Sequence, residues 1–144
     1  MRRTSLLLVL LVALAGAPLA AQEGGPAPGF DQFLFPPELV MQQQQRIGLR
    51  PEQREAITEA IRQFQSAVVD LQWKMQEETQ RLSELLRGPQ VNETETLAQV
   101  DRVLAVEREI KRAHLSLLIR IKNTLSKEQQ ATLRSTRGES LRLY

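Results

Sequence analysis

The sequence predicts an all-α protein, a long antiparallel helical hairpin with short flanking helices. Two observations carry that prediction. Apolar residues recur at alternating steps of four and three through two long segments, a heptad seam that no strand pattern produces. Between the segments lies Gly88-Pro89, a turn short enough to fold the second helix back along the first.

The elements follow in order. Met1 to Ala21 has two arginines, an apolar run from Leu6 to Ala15 and small residues up to Ala21. That is the layout of a secretory signal peptide, with cleavage expected after Ala21. Residues 22–36 read as a leader rich in Gly, Pro and Phe, and Phe30, Phe33 and Phe35 crowd its end. Those rings are expected either to fold back on the hairpin or to form a recognition element for a partner. Residues 37–135 form the helical domain. Pro37 opens a short helix to about Arg46, ended by Gly48.

Pro51 then opens the first long helix, where its missing N–H is harmless. Its seam is Ile57, Ile61, Phe64, Val68, Leu71, Met75, Leu82 and Leu85, with Glu78 standing where one further apolar residue would fall. Asn92 and Glu95 have the spacing of a capping box for the partner helix. Leu97, Val100, Val103, Val106, Ile110, Leu117, Ile121 and Leu125 carry its apolar face. Ser126 and Gln129 form a second capping box, opening a last helix to about Arg134. Residues 136–144 have no periodicity and read as a disordered tail.

A single two-helix seam is a thin core, so a second copy of the chain is expected to cover part of it, giving a homodimer. Val69 and Trp73 form a minor apolar patch at spacing i,i+4, about 200° around the helix from the seam residue Leu71. It is expected to pack on a short helix or the second subunit, or to line a surface for partners.

Certain residue pairs narrow the class further. Leu49-Arg50-Pro51-Glu52-Gln53 and Leu125-Ser126-Lys127-Glu128-Gln129 resemble the LTxxQ motifs of Spy/CpxP-like periplasmic proteins, with one motif opening the first long helix and the other opening the terminal helix. Leu49, Gln53, Leu125, Ser126 and Gln129 are the motif residues. Phe35 to Met41 and Leu115 to Lys122 are similar to the members called periplasmic heavy-metal sensors. The resemblance implies a hairpin that dimerises into a curved cradle. It also implies a choice of roles: ATP-independent holding of unfolded periplasmic proteins, or sensing of a heavy metal while restraining a membrane-bound sigma-factor or two-component regulator.

Two departures bear on that choice. Arg50 replaces the threonine of the first motif, removing a hydroxyl cap typically worth about 1 kcal/mol. The metal-sensing members carry histidines on the first helix and a His-x-x-x-Met pair on the later one. Here the first helix offers Gln42, Gln43, Gln44 and Gln45, and Leu118 follows His114 at the methionine position, so only His114 carries over.

Composition limits the chemistry. The 144 residues include no cysteine and one histidine, which excludes disulfides, thiolate metal sites and a thiol nucleophile. Without Arg2 and Arg3 the remaining chain balances 17 basic against 17 acidic residues, so no cationic surplus exists to bind nucleic acid. No carboxylate pair is isolated in an apolar setting, and the expectation is a non-enzymatic protein without a cofactor. A divalent transition metal is the one alternative, with His114 joined by Glu107, by Glu38 and Met41, or by a second His114 across a dimer. The leading expectation is a periplasmic protein that binds unfolded chains. The alternative is the metal sensor.

Overall fold

The computed structural model describes residues 29–141, so the expected signal peptide, residues 22–28 of the leader and residues 142–144 of the expected tail lie outside the described residues. A 3-10 turn (Asp31–Phe33) leads to four helices: α1 (Pro37–Gln42), α2 (Pro51–Leu86), α3 (Glu93–Thr124) and α4 (Lys127–Leu141). No strand occurs among the described residues. α2 and α3 form the predicted hairpin, and the short elements gather at its open end.

Local chemistry sets the boundaries. α1 is shorter than expected, because regular helical bonding stops at Gln42 and residues 43–48 continue as tight turns. Gly48 closes that segment in the left-handed region at φ 59°, where a glycine meets no Cβ penalty. The Leu49 N–H bonds the Gln44 carbonyl at 2.9 Å and the Gly48 N–H bonds Gln45 at 3.2 Å, the nested pair of a Schellman stop. At the start of α3 the Asn92 side chain accepts the Glu95 N–H at 3.1 Å. Among the described residues this cap is one-sided.

α4 is a correction to the expected length. It runs to Leu141, well past Arg134, so the first six residues of the expected tail are helical. The reason is tertiary: Leu133 is completely buried, Thr136 is buried, and the Arg137 guanidinium donates to the Leu34 carbonyl at 2.9 Å. No amphipathic repeat is needed when packing holds a helix in place.

The core sits at the open end. Phe35, Val40, Ile47, Ile57, Ala60, Leu117, Ile121, Leu125 and Leu133 form one buried cluster, and Leu49, Ile61 and Phe64 pack against it. Farther out the hairpin is only two helices thick. There Val68, Leu71, Met75, Leu82 and Leu85 of the α2 seam are half-buried, whereas Val106 is almost completely buried.

The phase of α3 corrects a second expectation. Leu97 is exposed (54%), and Thr96 and Gln99 take the inward positions. Gln99 Nε2 donates to the Glu78 carbonyl at 2.9 Å and to its carboxylate at 2.6 Å. Glu78 thus occupies its seam position by pairing with an amide across the hairpin. The Thr96 hydroxyl beside this polar layer is buried without a partner.

Position within this architecture decides what a substitution costs. Ile121→Ala is expected to lower unfolding free energy by about 2–5 kcal/mol, whereas Leu97→Ala changes it by about 0.5 kcal/mol or less, both read from urea unfolding curves.

Candidate functional site

The two motifs meet at the open end of the hairpin, where Gln53 and Gln129 are both buried. Gln53 Nε2 donates to Gln129 Oε1 at 2.9 Å, and Gln129 Nε2 donates back to Gln53 Oε1 at 3.0 Å. Each amide then serves its own helix start. Gln53 Oε1 accepts the Arg50 N–H at 3.1 Å, and Gln129 Oε1 accepts the Ser126 N–H at 2.8 Å. Each also reaches the turn before the other motif: Gln53 bonds the Thr124 carbonyl at 2.7 Å, and Gln129 bonds the Ile47 carbonyl at 3.2 Å and Gly48 at 3.4 Å. The arrangement is pseudo-twofold, since Gly48 and Thr124 both precede the motif leucine. Both donors and both acceptor sites of each side chain are used, so the buried pair leaves no polar atom without a partner.

The helix starts differ at one point. Ser126 Oγ accepts the Gln129 N–H at 3.2 Å, completing a reciprocal capping box. Arg50 has only donors on its side chain, so α2 keeps the glutamine half of the box, with Pro51 in its first turn. Beside the second box, the exposed Glu128 carboxylate is held below its ordinary pKa by its own backbone N–H and by the Ser126 side chain. That favours the ionised form at a helix N-terminus, a contribution present at neutral pH and lost as pH falls through the lowered value. The motif leucines anchor the clasp in the core, Leu125 buried and Leu49 half-buried.

Beside the clasp lies a half-open cavity of about 430 Å3. Its apolar walls are Leu34, Pro36, Pro37, Phe64, Leu117 and Leu118, and Glu38, His114 and Arg137 supply its polar groups. The His114 ring lies against Phe64, with centroids 5.7 Å apart. His114 and Glu38, two members of one expected donor set, therefore line the same cavity. Glu107, named in another, lines a groove on the outer face of α3 with Arg108, Lys111 and Leu115. Met41 is exposed and is not among the cavity's lining residues.

The aromatic and apolar candidates separate. Phe35 is completely buried, which corrects its assignment as a partner contact: it is a core residue, and Pro36-Pro37 behind it start α1. Phe30 and Phe33 remain exposed, as do Val69 and Trp73, the latter at 67%. Leu104, Leu115 and Ile119 are exposed on α3; with Leu97 they fall within about 60° of one another around the helix at ~100° per residue. The seam analysis overlooked this outer stripe. Its signal was the spacing of seven, eleven and four residues, out of phase with the inner one.

A helical hairpin whose base is closed by two Leu-x-x-x-Gln motifs marks a protein of the Spy/CpxP-like LTxxQ class, whose members are typically periplasmic. The chain belongs to the heavy-metal resistance family within that class, whose model matches residues 4–132. No curated protein and no solved structure matches it. Among the described residues no helix is long and apolar enough to cross a membrane.

The family description raises the question of a metal at this cavity. A transition-metal site takes three or four converging nitrogen, sulfur or carboxylate donors. The cavity supplies one imidazole and one carboxylate, fewer than that number. Among the described residues no group of three or more His, Asp or Glu residues is placed to hold a metal. These residues do not fit a metal centre.

The paired glutamines make a direct prediction. Gln53→Leu leaves Gln129 with unmet buried hydrogen bonds and is expected to cost about 1–3 kcal/mol. In a double-mutant cycle with Gln129→Leu the two losses should be non-additive by about 0.5–3 kcal/mol, the double variant losing less than the sum. Additive losses would contradict the clasp.

Proposed function

We propose that this chain is an exported, non-enzymatic binding protein of the periplasm that holds unfolded or misfolded chains on the outer faces of its hairpin. Export would be directed by the signal peptide, with cleavage after Ala21. The observation that supports the reading most is the set of large apolar side chains directed away from the core: Val69 and Trp73 on α2, and Leu97, Leu104, Leu115 and Ile119 on α3. Soluble monomers keep such surfaces small unless something binds them. Arg108, Lys111 and Arg112 stand between the leucines of the α3 stripe, and such charges speed encounter with acidic segments more than they tighten the contact. The thin distal seam favours a homodimer, with part of these faces covered by the second copy and part left for clients. Holding needs contact area without directional chemistry.

The sensing alternative, with a membrane-bound regulator as partner, rests on the family description and on His114. It requires donors beyond those of this cavity, such as a second His114 across a dimer.

Aggregation of a chemically denatured client, followed by light scattering with and without the mature protein, tests the proposal. Suppression is expected at equimolar ratio, and Trp73→Gln combined with Leu115→Gln should weaken it several-fold with the helical circular dichroism unchanged. An unchanged aggregation curve would remove the holding role. Tight calorimetric binding of zinc, copper, nickel or cobalt that is lost in His114→Ala would replace it with sensing.

A further inference from the structure

Charge is segregated along α3, although the chain beyond Arg3 is balanced overall. From Glu93 to Glu107 the helix has four acidic residues against one basic, Arg102; from Arg108 to Thr124 it has five basic residues against one acidic, Glu109. The basic half coincides with the outer apolar stripe. Leu104 is 52% exposed, and Leu115 and Ile119 are 43% exposed. Leu115 lies nine positions from the buried Val106, about 180° around the helix at ~100° per residue. Lys111 and Lys122 fall on one side of Leu115 around the helix and Arg108 and Arg112 on the other, all within about 60° of it. Arg108, Lys111 and Arg112 are exposed, and among the described residues none of the three forms an ion pair. Arg108 and Arg112 are like charges at i,i+4, a mildly destabilising pair in the isolated chain. A face of exposed leucines flanked by unanswered cations complements an anionic partner with an apolar layer beneath its charge.

We propose that the outer face of α3 docks on an anionic phospholipid bilayer, with Leu104, Leu115 and Ile119 entering the headgroup boundary and Arg108, Lys111, Arg112 and Lys122 reaching lipid phosphates on either side. Long cationic side chains lay their stems along apolar surface while their heads stay at the polar level. Helices that lie in a membrane interface have this arrangement. The face from Leu104 to Lys122 is about 27 Å long at ~1.5 Å per residue, so several headgroups meet it at once. An acidic peptide laid along the stripe would answer the cations of one flank, whereas a planar array of phosphates answers both. The α2 patch stays clear of this contact. Trp73 is nine positions from Phe64, which packs on the core, so it faces away from α3 at the opposite edge of the hairpin. Docking of this kind is peripheral and needs no membrane-crossing helix, and it does not depend on the holding role.

Flotation of the mature chain with unilamellar vesicles tests this, comparing pure phosphatidylcholine with an equal mixture of phosphatidylcholine and phosphatidylglycerol. Binding to the anionic vesicles is expected, weakening as salt rises, with little binding to the neutral ones. Arg108→Gln, Lys111→Gln and Arg112→Gln together should weaken it roughly a hundredfold, from about fivefold for each charge near the surface, with the helical circular dichroism retained. Leu104→Gln combined with Leu115→Gln should weaken it several-fold at unchanged salt dependence. Because the chain has no cysteine, Ile119→Cys carrying an environment-sensitive dye reports the docked face alone. Its emission should shift to the blue with anionic vesicles, while the same dye at Val69→Cys should not shift. Trp73→Gln should leave vesicle binding unchanged whatever it does to client aggregation, which separates this surface from the holding role. The proposal is overturned if neutral vesicles bind as tightly as anionic ones, if the triple variant binds as well as the parent chain, or if the Val69→Cys dye shifts and the Ile119→Cys dye does not. Binding of polyglutamate without binding of anionic vesicles would also overturn it, assigning the face to an acidic protein segment.

Discussion

A pair of buried side-chain amides closes the base of this protein. Gln53 and Gln129 lie seventy-six positions apart in the chain and meet as mutual donors and acceptors. In doing so they tie the start of α2 to the start of α4 and to the turns that precede both. A buried amide network is costly when half-made and rigid when complete. Here it is complete, and the core of Phe35, Val40, Ile121 and Leu133 packs around it. The position of α4, the return of the segment before α1 and the shape of the cavity beside His114 all depend on that closure.

The rest of the hairpin is built to a different standard. Beyond Phe64 the seam is two helices thick, and its side chains are mostly half-buried. It carries a polar layer in which Gln99 bonds Glu78 and the Thr96 hydroxyl has no partner. Such a layer fixes the register of two amphipathic rods at some expense of stability, the role that single polar seam residues play in coiled coils. A firm base with a lean distal arm leaves large apolar groups facing outward, the feature on which the proposed holding role rests.

Much of this was legible in the sequence, and the exceptions have physical causes. The two long helices, the turn at Gly88-Pro89, the stop at Gly48 and the second capping box follow from local periodicity and end chemistry. The two motifs could be located, but not their mutual embrace, because a contact between Gln53 and Gln129 leaves no local signature. The length of α4 was missed for a related reason: Leu133, Thr136 and Arg137 are held by partners distant in the chain. Leu97 was placed inward because it is apolar, whereas Gln99 won the position by satisfying Glu78. Phe35 could not be told from Phe30 and Phe33 by composition, since only the fold decides which ring the core receives. His114 was identified, but its neighbours Phe64 and Arg137 come from other helices, so the cavity emerged only with the tertiary structure.

Native-state hydrogen exchange of individual amides tests the clasp most directly. Backbone N–H groups at helix N-caps normally exchange through local fraying, and the Asn92 N–H at the start of α3 provides that reference. If the amide pair closes the base, the Arg50 and Ser126 N–H groups, each bonded to a clasped glutamine, will exchange as slowly as the Ile121 N–H in the core. Exchange of both at the rate of Asn92 would contradict the account.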